Sequence, residues 1–192
     1  MELTVDINSI FGQVKEILFA PKKFFGKAKK EKGWKKAFVF IIAVALVGHI
    51  LTALYNIFVY PVIAPSLAEI VGISAGFDTG QVLVASVVSY VISLGMSFIW
   101  GGALKVWLAL FKIESSFARS YRVMAYSRTP NYLFSWLPVV NLLAAFYSIY
   151  LLMLGIEAEY SIPRKKSVLI IILSVVAMIV LSLLVFSFLP SI

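Results

Sequence analysis

The basic residues of this chain fall into three clusters, and the stretches between them are too long and too apolar for the core of a soluble domain. Nine of the 17 Lys and Arg residues lie within residues 1–36, four lie between Lys112 and Arg128, and three are consecutive from Arg164. Lys105 is the exception. A helix needs roughly 20 apolar residues to cross the hydrocarbon of a bilayer, and the intervals between clusters reach that length. With 14% charged residues and a mean hydropathy of +0.98, the chain lacks the charge that keeps a soluble domain of this size dispersed. The expectation is an all-α polytopic membrane protein.

Five spans are expected, at about residues 37–60, 82–111, 121–137, 139–156 and 167–189. Residues 1–36 form a cytoplasmic N-terminal segment ahead of this membrane domain. Pro61 and Pro65 end the first span, and the loop after it carries Glu69 and Asp78 but no base. Gly72, Gly76 and Gly80 make that loop irregular, with a short helix over 66–71. The second span is longer than a crossing needs, so it tilts or breaks near Gly101-Gly102. The third is interrupted by Arg128, Pro130 and Asn131, and Pro138 and Asn141 manage the turn into the fourth. Basic residues flank every second loop, as the positive-inside rule requires for five crossings with the N-terminus in the cytoplasm and the C-terminus outside. Lys105 snorkels from the inner end of the second span. A re-entrant hairpin of the third and fourth spans gives the same charge pattern. No internal repeat supports an inverted-repeat transporter, and no cleavable signal peptide is apparent.

Ahead of the spans, Ile7, Ile10, Phe11, Val14, Ile17 and Leu18 recur at helical spacing, with Asp6 or Asn8 as cap. This reads as a helix lying in the membrane interface. Pro21 breaks it and opens a second helix at the first position. Lys22, Lys23, Lys27, Lys29, Lys30, Lys35 and Lys36, with Trp34 among them, are expected to contact anionic inner-leaflet head groups. Each base near that surface is worth about 1 kcal/mol. Bases flanking apolar spans point to lipid rather than nucleic acid, despite the net charge of +8.

The chain has no Cys and one His, which removes thiolate nucleophiles, Cys metal sites and His pairs. No cofactor, metal site or catalytic residue is expected. Polar groups within spans are the candidate sites. His49, with Asn56 two turns on, is a proton-responsive site or an interhelical hydrogen bond. Tyr126, Arg128 and Asn131 belong to the densest polar cluster, Tyr126-Ser127-Arg128-Thr129-Pro130-Asn131. Arg128 lies nine residues past Arg119, about 13 Å along a helix, and there it needs a partner. Pro130 frees a carbonyl one turn back, which Ser127, Thr129 and Asn131 are placed to repair. This cluster is a polar cavity for a phosphate or carboxylate head group, or a structural kink. Glu157 and Glu159 end the fourth span and are expected to pair with Arg119, Arg122 or Arg164. Gly101-Gly102 and Gly155 suit close helix packing.

Five spans, the approach Phe19-Ala20-Pro21-Lys22-Lys23-Phe24, Gly101-Gly102 and Tyr126-Ser127-Arg128-Thr129-Pro130 together resemble the Yip family over about residues 15–189. Eukaryotic members are Golgi and endoplasmic-reticulum proteins linked to Rab-type GTPases. The eukaryotic Asp-Leu-Tyr-Gly-Pro stretch is absent, and the chain is similar to the shorter prokaryotic branch. The resemblance implies a five-span architecture and a membrane-organising role. The function expected is a non-enzymatic scaffold of the cell membrane that binds other membrane proteins or shapes lipid, as a monomer or homo-oligomer. Its cytoplasmic face would comprise Arg119, Arg122, Arg128, Glu157 and Glu159. The alternative is a transporter or lipid scramblase whose path follows the second and third spans, guided by Arg128 and His49.

Reversing two charges of the basic segment, Lys22→Glu with Lys23→Glu, is expected to weaken its hold on anionic vesicles. Unchanged liposome binding of the N-terminal segment refutes that role.

Overall fold

The computed structural model describes residues 7–62 and 78–188, all helix and short connection, with no strand among them. The expected loop helix at 66–71 lies outside the described residues. Two short helices come first, α1 (Ile7–Phe19) and α2 (Pro21–Ala28). Pro21 opens α2 from its first turn, where its missing N–H costs nothing. Then follow α3 (Lys35–Leu54), carried on by a π-helical turn over Tyr55–Val59, and α4 (Thr79–Leu110). The Asp78 carboxylate caps α4 by accepting from Gly80 N at 3.1 Å. The chain continues through α5 (Phe117–Ser127), α6 (Thr129–Phe134), α7 (Pro138–Tyr160) and α8 (Arg164–Phe188).

Three of these helices are long and apolar enough to cross a membrane: Lys35–Val62, Thr79–Leu110 and Pro138–Tyr160. They match the first, second and fourth expected spans to within four residues at either end. The expected third span is not one helix. It divides at Arg128 into an 11-residue and a 6-residue piece, because Pro130 cannot donate to the carbonyl four residues back. That carbonyl belongs to Tyr126, and Thr129 Oγ1 donates to it at 2.7 Å. The break at Gly101-Gly102 does not occur, since α4 is continuous through both glycines. Its 32 residues measure about 48 Å, well beyond a hydrocarbon core of ~30 Å. Tilt or projection takes up the excess.

The outer surface is apolar where a soluble protein would be polar. Along α4, Val84, Val87, Val88, Val91, Ile92, Ile99 and Val106 are all exposed. A contiguous face of this kind is met by lipid. Polar and buried residues are drawn together at the other side of the helices instead. One core joins α1, α2, α3, α5 and α7 through Ile17, Phe24, Phe25, Phe40, Tyr126 and Leu151. A second joins α4, α5, α7 and α8 through Leu104, Leu108, Val123, Ile156 and Ile170. Helix α5 belongs to both, and Ser120, Tyr121, Arg122, Val123, Ala125, Tyr126 and Ser127 are all buried in it.

The helices approach where side chains are small. A Cβ on Gly48 would stand 1.9 Å from the Tyr132 carbonyl oxygen, so α3 and α6 meet backbone to backbone. Thr52 Oγ1 lies 3.2 Å from Ser135 Oγ beside that crossing. Gly101 passes against Tyr121, and Gly155 against Val123 and Phe25, as the packing expectation held. Gly102 faces open space.

Gly48→Ala is therefore expected to force α6 away and destabilise the fold by about 1–3 kcal/mol. Gly102→Ala should leave it unchanged. Thermal unfolding of the two variants in detergent checks the contrast, and equal midpoints refute it.

Candidate functional site

At the end of the bundle that carries the charge clusters, α5 presents two arginines one turn apart to the last turn of α7. Arg119 Nε donates to Glu159 Oε1 at 2.9 Å, and Arg122 Nη2 donates to the same oxygen at 2.8 Å. Arg119 Nη2 also reaches the Glu159 carbonyl at 2.6 Å. Arg122 and Glu159 are almost wholly buried, while the Arg119 side chain is 37% exposed. Arg122 Nη1 donates to the Gly33 carbonyl at 3.0 Å, while its Nε is buried without a hydrogen-bond partner among the described residues. Gly33 has φ +73°, a conformation that costs glycine nothing, and it turns the α2–α3 connection so that its carbonyl faces the guanidinium. One carboxylate thus ties α5 to α7 and, through Arg122, to the segment before α3.

A second polar link runs beside the first. Tyr126 OH donates to Glu31 Oε2 at 2.7 Å, and Lys36 Nζ donates to Glu31 Oε1 at 2.7 Å. The Tyr126 ring stands edge-on to Phe24 at 4.8 Å and to Phe40 at 5.2 Å. Arg119 also lies over the Tyr160 ring, with its guanidinium carbon 4.6 Å from the centroid. The Tyr160 hydroxyl joins Ser115 and Ser120. The Arg164–Glu157 pair, at 3.3 Å, is open to solvent.

The expected pairing of Glu157 and Glu159 with Arg119, Arg122 and Arg164 is what the structure contains. The expectation that Arg122 and Glu159 form part of an outward cytoplasmic face is corrected by their burial, because a partner cannot reach them. His49 sits apart: its Nδ1 donates to the Ala45 carbonyl at 2.8 Å, and its ring is edge-on to Tyr90 at 5.5 Å. Lys22, Lys23, Lys27, Lys29, Lys30, Lys35 and Lys36 are exposed. Trp34 is drawn inward against Phe38, Phe98 and Tyr121. Glu31, Gly33, Ser115, Ser120 and Tyr160 escape sequence reasoning. The one available signal is Glu31, a lone acid within the basic run Lys29-Lys30-Glu31-Lys32.

Arg128 stands on the far side of α5 from Glu31. Its guanidinium carbon is 5.0 Å from the Trp100 ring centroid. Asn131 Oδ1 accepts from Ser148 Oγ at 2.9 Å, fastening α6 to α7. Arg128, Asn131, Trp100 and Ser148 line a cavity of about 490 Å³ between α4, α5, α6, α7 and α8. No group of three or more metal-binding side chains occurs among the described residues.

Removing Glu159 leaves two cations near one another, one of them buried. Glu159→Ala is expected to cost about 3–5 kcal/mol, as for other broken buried pairs. Glu157→Ala, at an exposed pair, should cost at most about 1 kcal/mol. Unfolding midpoints in detergent check this, and a Glu157 effect as large as that of Glu159 refutes it.

No curated protein and no solved structure matches this chain. The family model of the Yip1 domain matches residues 15–186, from within α1 to the last turn of α8. Within that span Phe24 packs on Tyr126 and Gly101 on Tyr121, both of α5. The chain belongs to the Yip1 domain family and is a membrane protein.

Proposed function

We propose that this chain is a non-enzymatic scaffold of the cytoplasmic membrane, of the shorter prokaryotic type, that gathers membrane proteins or lipid at its charged end. The observation that carries the reading is the docking of α2. Phe24, Phe25 and Ala28 are buried in the core, while Lys22, Lys23, Lys29 and Lys30 face outward. The basic segment is thereby a fixed surface of the membrane domain rather than a loose tail. Lys22, Lys30 and Lys35 have no carboxylate partner among the described residues, so their charge is free for head groups. On α1, Phe11 and Phe19 are 71% and 80% exposed two turns apart, and Lys15 between them is exposed too. An aromatic stripe edged by lysine suits the interface of a bilayer.

The topology belongs to the same proposal. Five crossings, with α5–α6 as the third and α8 as the fifth, place the N-terminus inside and the C-terminus outside. Because Arg122 and Glu159 are internal, the partner surface moves to α2, Lys30, Glu157 and the exposed side of Arg119. A second reading, passage of a lipid or small solute, draws on the cavity beside Arg128. His49 does not line that cavity, which leaves Arg128 as its charged guide.

Photo-crosslinking in native membranes, with probes at Lys30, Glu157 and the buried Arg122, separates these readings. The scaffold predicts one dominant protein adduct from Lys30 or Glu157 and none from Arg122. Adducts with lipid alone, together with flux in liposomes above that of empty vesicles, overturn it in favour of passage.

A further inference from the structure

Three of the four arginines are matched to carboxylates: Arg119 and Arg122 to Glu159, and Arg164 to Glu157. Arg128 has neither a carboxylate nor a hydrogen-bond acceptor among the described residues. Its charge rests against the Trp100 ring and borders the 490 Å³ cavity. That volume lies within the ~300–1,000 Å³ of ordinary small-molecule sites. Ser127, Asn131, Ser148 and Ser174 are the other hydroxyl and amide side chains on the wall. Ser127 Oγ is spent on the Val123 carbonyl and Ser148 Oγ on Asn131 Oδ1, which leaves the Asn131 amide nitrogen as a second donor. Ser174 Oγ is spent on the Ile171 carbonyl, and the rest of the wall is Leu, Ile, Val, Ala, Met and Trp.

We propose that this cavity holds one anionic phospholipid, with its phosphate on Arg128 and an acyl chain along the apolar wall of α7 and α8. Charge and shape argue for it together. An unmatched guanidinium calls for an anion, and a bare hydrated ion leaves the apolar wall unsatisfied. An amphiphile satisfies both. Ile149 and Val175 line the cavity and are each 40% exposed on the outer surface, so it opens sideways, the direction from which a lipid enters.

Depth argues for the same ligand. The exposed Lys35 and Lys36 mark the head-group level at the start of α3, next to Trp34. Trp34 packs on Phe98 of α4 at 5.3 Å. Trp100 lies two residues further, about 3 Å along the helix, toward the charged end. The backbone of Arg128 lies deeper, nine residues past Arg119, and its guanidinium reaches back to Trp100, just below the head groups of that leaflet, with Ala145 and Ala177 of the cavity wall deeper in the hydrocarbon.

The site is independent of whether the protein organises or translocates. Its test is native mass spectrometry of the full-length protein in detergent, titrated with phosphatidylglycerol, phosphatidylcholine of equal chain length, or inorganic phosphate. One phosphatidylglycerol per chain is expected to survive at detergent levels that strip phosphatidylcholine. Arg128→Ala should weaken it at least about tenfold. Ala145→Phe, which fills the cavity and leaves every charge in place, should weaken it as much and carries the test if Arg128→Ala fails to fold. Lys22→Glu with Lys23→Glu should leave this tight lipid bound, separating it from head groups on the basic surface. Equal retention of both lipids, or binding unaffected by either Arg128→Ala or Ala145→Phe, overturns the proposal. So does Arg128-dependent binding of inorganic phosphate as tight as that of the lipid, which marks a site for a soluble anion.

Discussion

The Glu159 carboxylate is the point on which the charged end of this molecule depends. It takes two guanidinium groups from α5 within 2.9 Å. Burying an ion pair is unfavourable unless hydrogen bonds meet the remaining charge. Here the Gly33 carbonyl accepts from Arg122 Nη1 and the Glu159 carbonyl from Arg119 Nη2, and Arg122 Nε goes unmet among the described residues. The consequence is geometric. Once Arg122 is fixed, α5 is fixed in azimuth. Tyr126, one turn on, is then directed at Glu31 and at the ring of Phe24, and α2 lies down on the bundle. The burial of Tyr121 and Tyr126, both with no exposed surface, follows from the same placement.

This arrangement explains how a helix as polar as α5 is held among apolar ones. In lipid polar groups must be met internally, and α5 meets its own on both sides, the buried Arg122 Nε excepted. Ser97 Oγ lies 2.9 Å from Tyr121 OH, and the Ser115, Ser120 and Tyr160 hydroxyls form a chain at its start. Apolar packing alone orients helices weakly in a bilayer, because lipid tails compete for the same contacts. Hydrogen bonds and close backbone contacts then carry the specificity. Gly48 against Tyr132 and Gly101 against Tyr121 supply the second kind of contact.

The sequence made some of this legible for particular reasons. Pro21 and Pro138 open helices because proline is tolerated only at their first turn. The acids ending α7 were readable as partners of Arg119, Arg122 or Arg164, because the positive-inside pattern put them on one side. The repair of the Pro130 break by Thr129 was readable from local chemistry. Other features were not legible. Glu31 and Tyr126 are 95 residues apart, and no local pattern joins them. Trp34 beside lysines reads as a lipid anchor, whereas Phe98 and Tyr121 claim its ring. The Gly101-Gly102 pair reads as a break in a span that could instead tilt, and as a place for close packing; α4 continues through it, and only Gly101 serves an approach, that of Tyr121. The division of the expected third span at Arg128 follows from Pro130, but the burial of one half and the tight α3 contact of the other depend on tertiary structure.

Arg122 and Arg128 show why residue type alone does not assign a role. They lie six residues apart on the same polar stretch. One faces Gly33 and Glu159 and is consumed in holding the fold. The other, at the helix break, borders a cavity and lies against the electron-rich face of an indole. A cation–π contact of this kind contributes about 0.5–2 kcal/mol, less than the cost of drawing a charge into an apolar wall. The arginine that stabilises the fold is therefore the one with its acceptors supplied by the chain. The arginine left with a ring alone is the one whose remaining free energy is open to a ligand, and the kink at Pro130 is what separates the two.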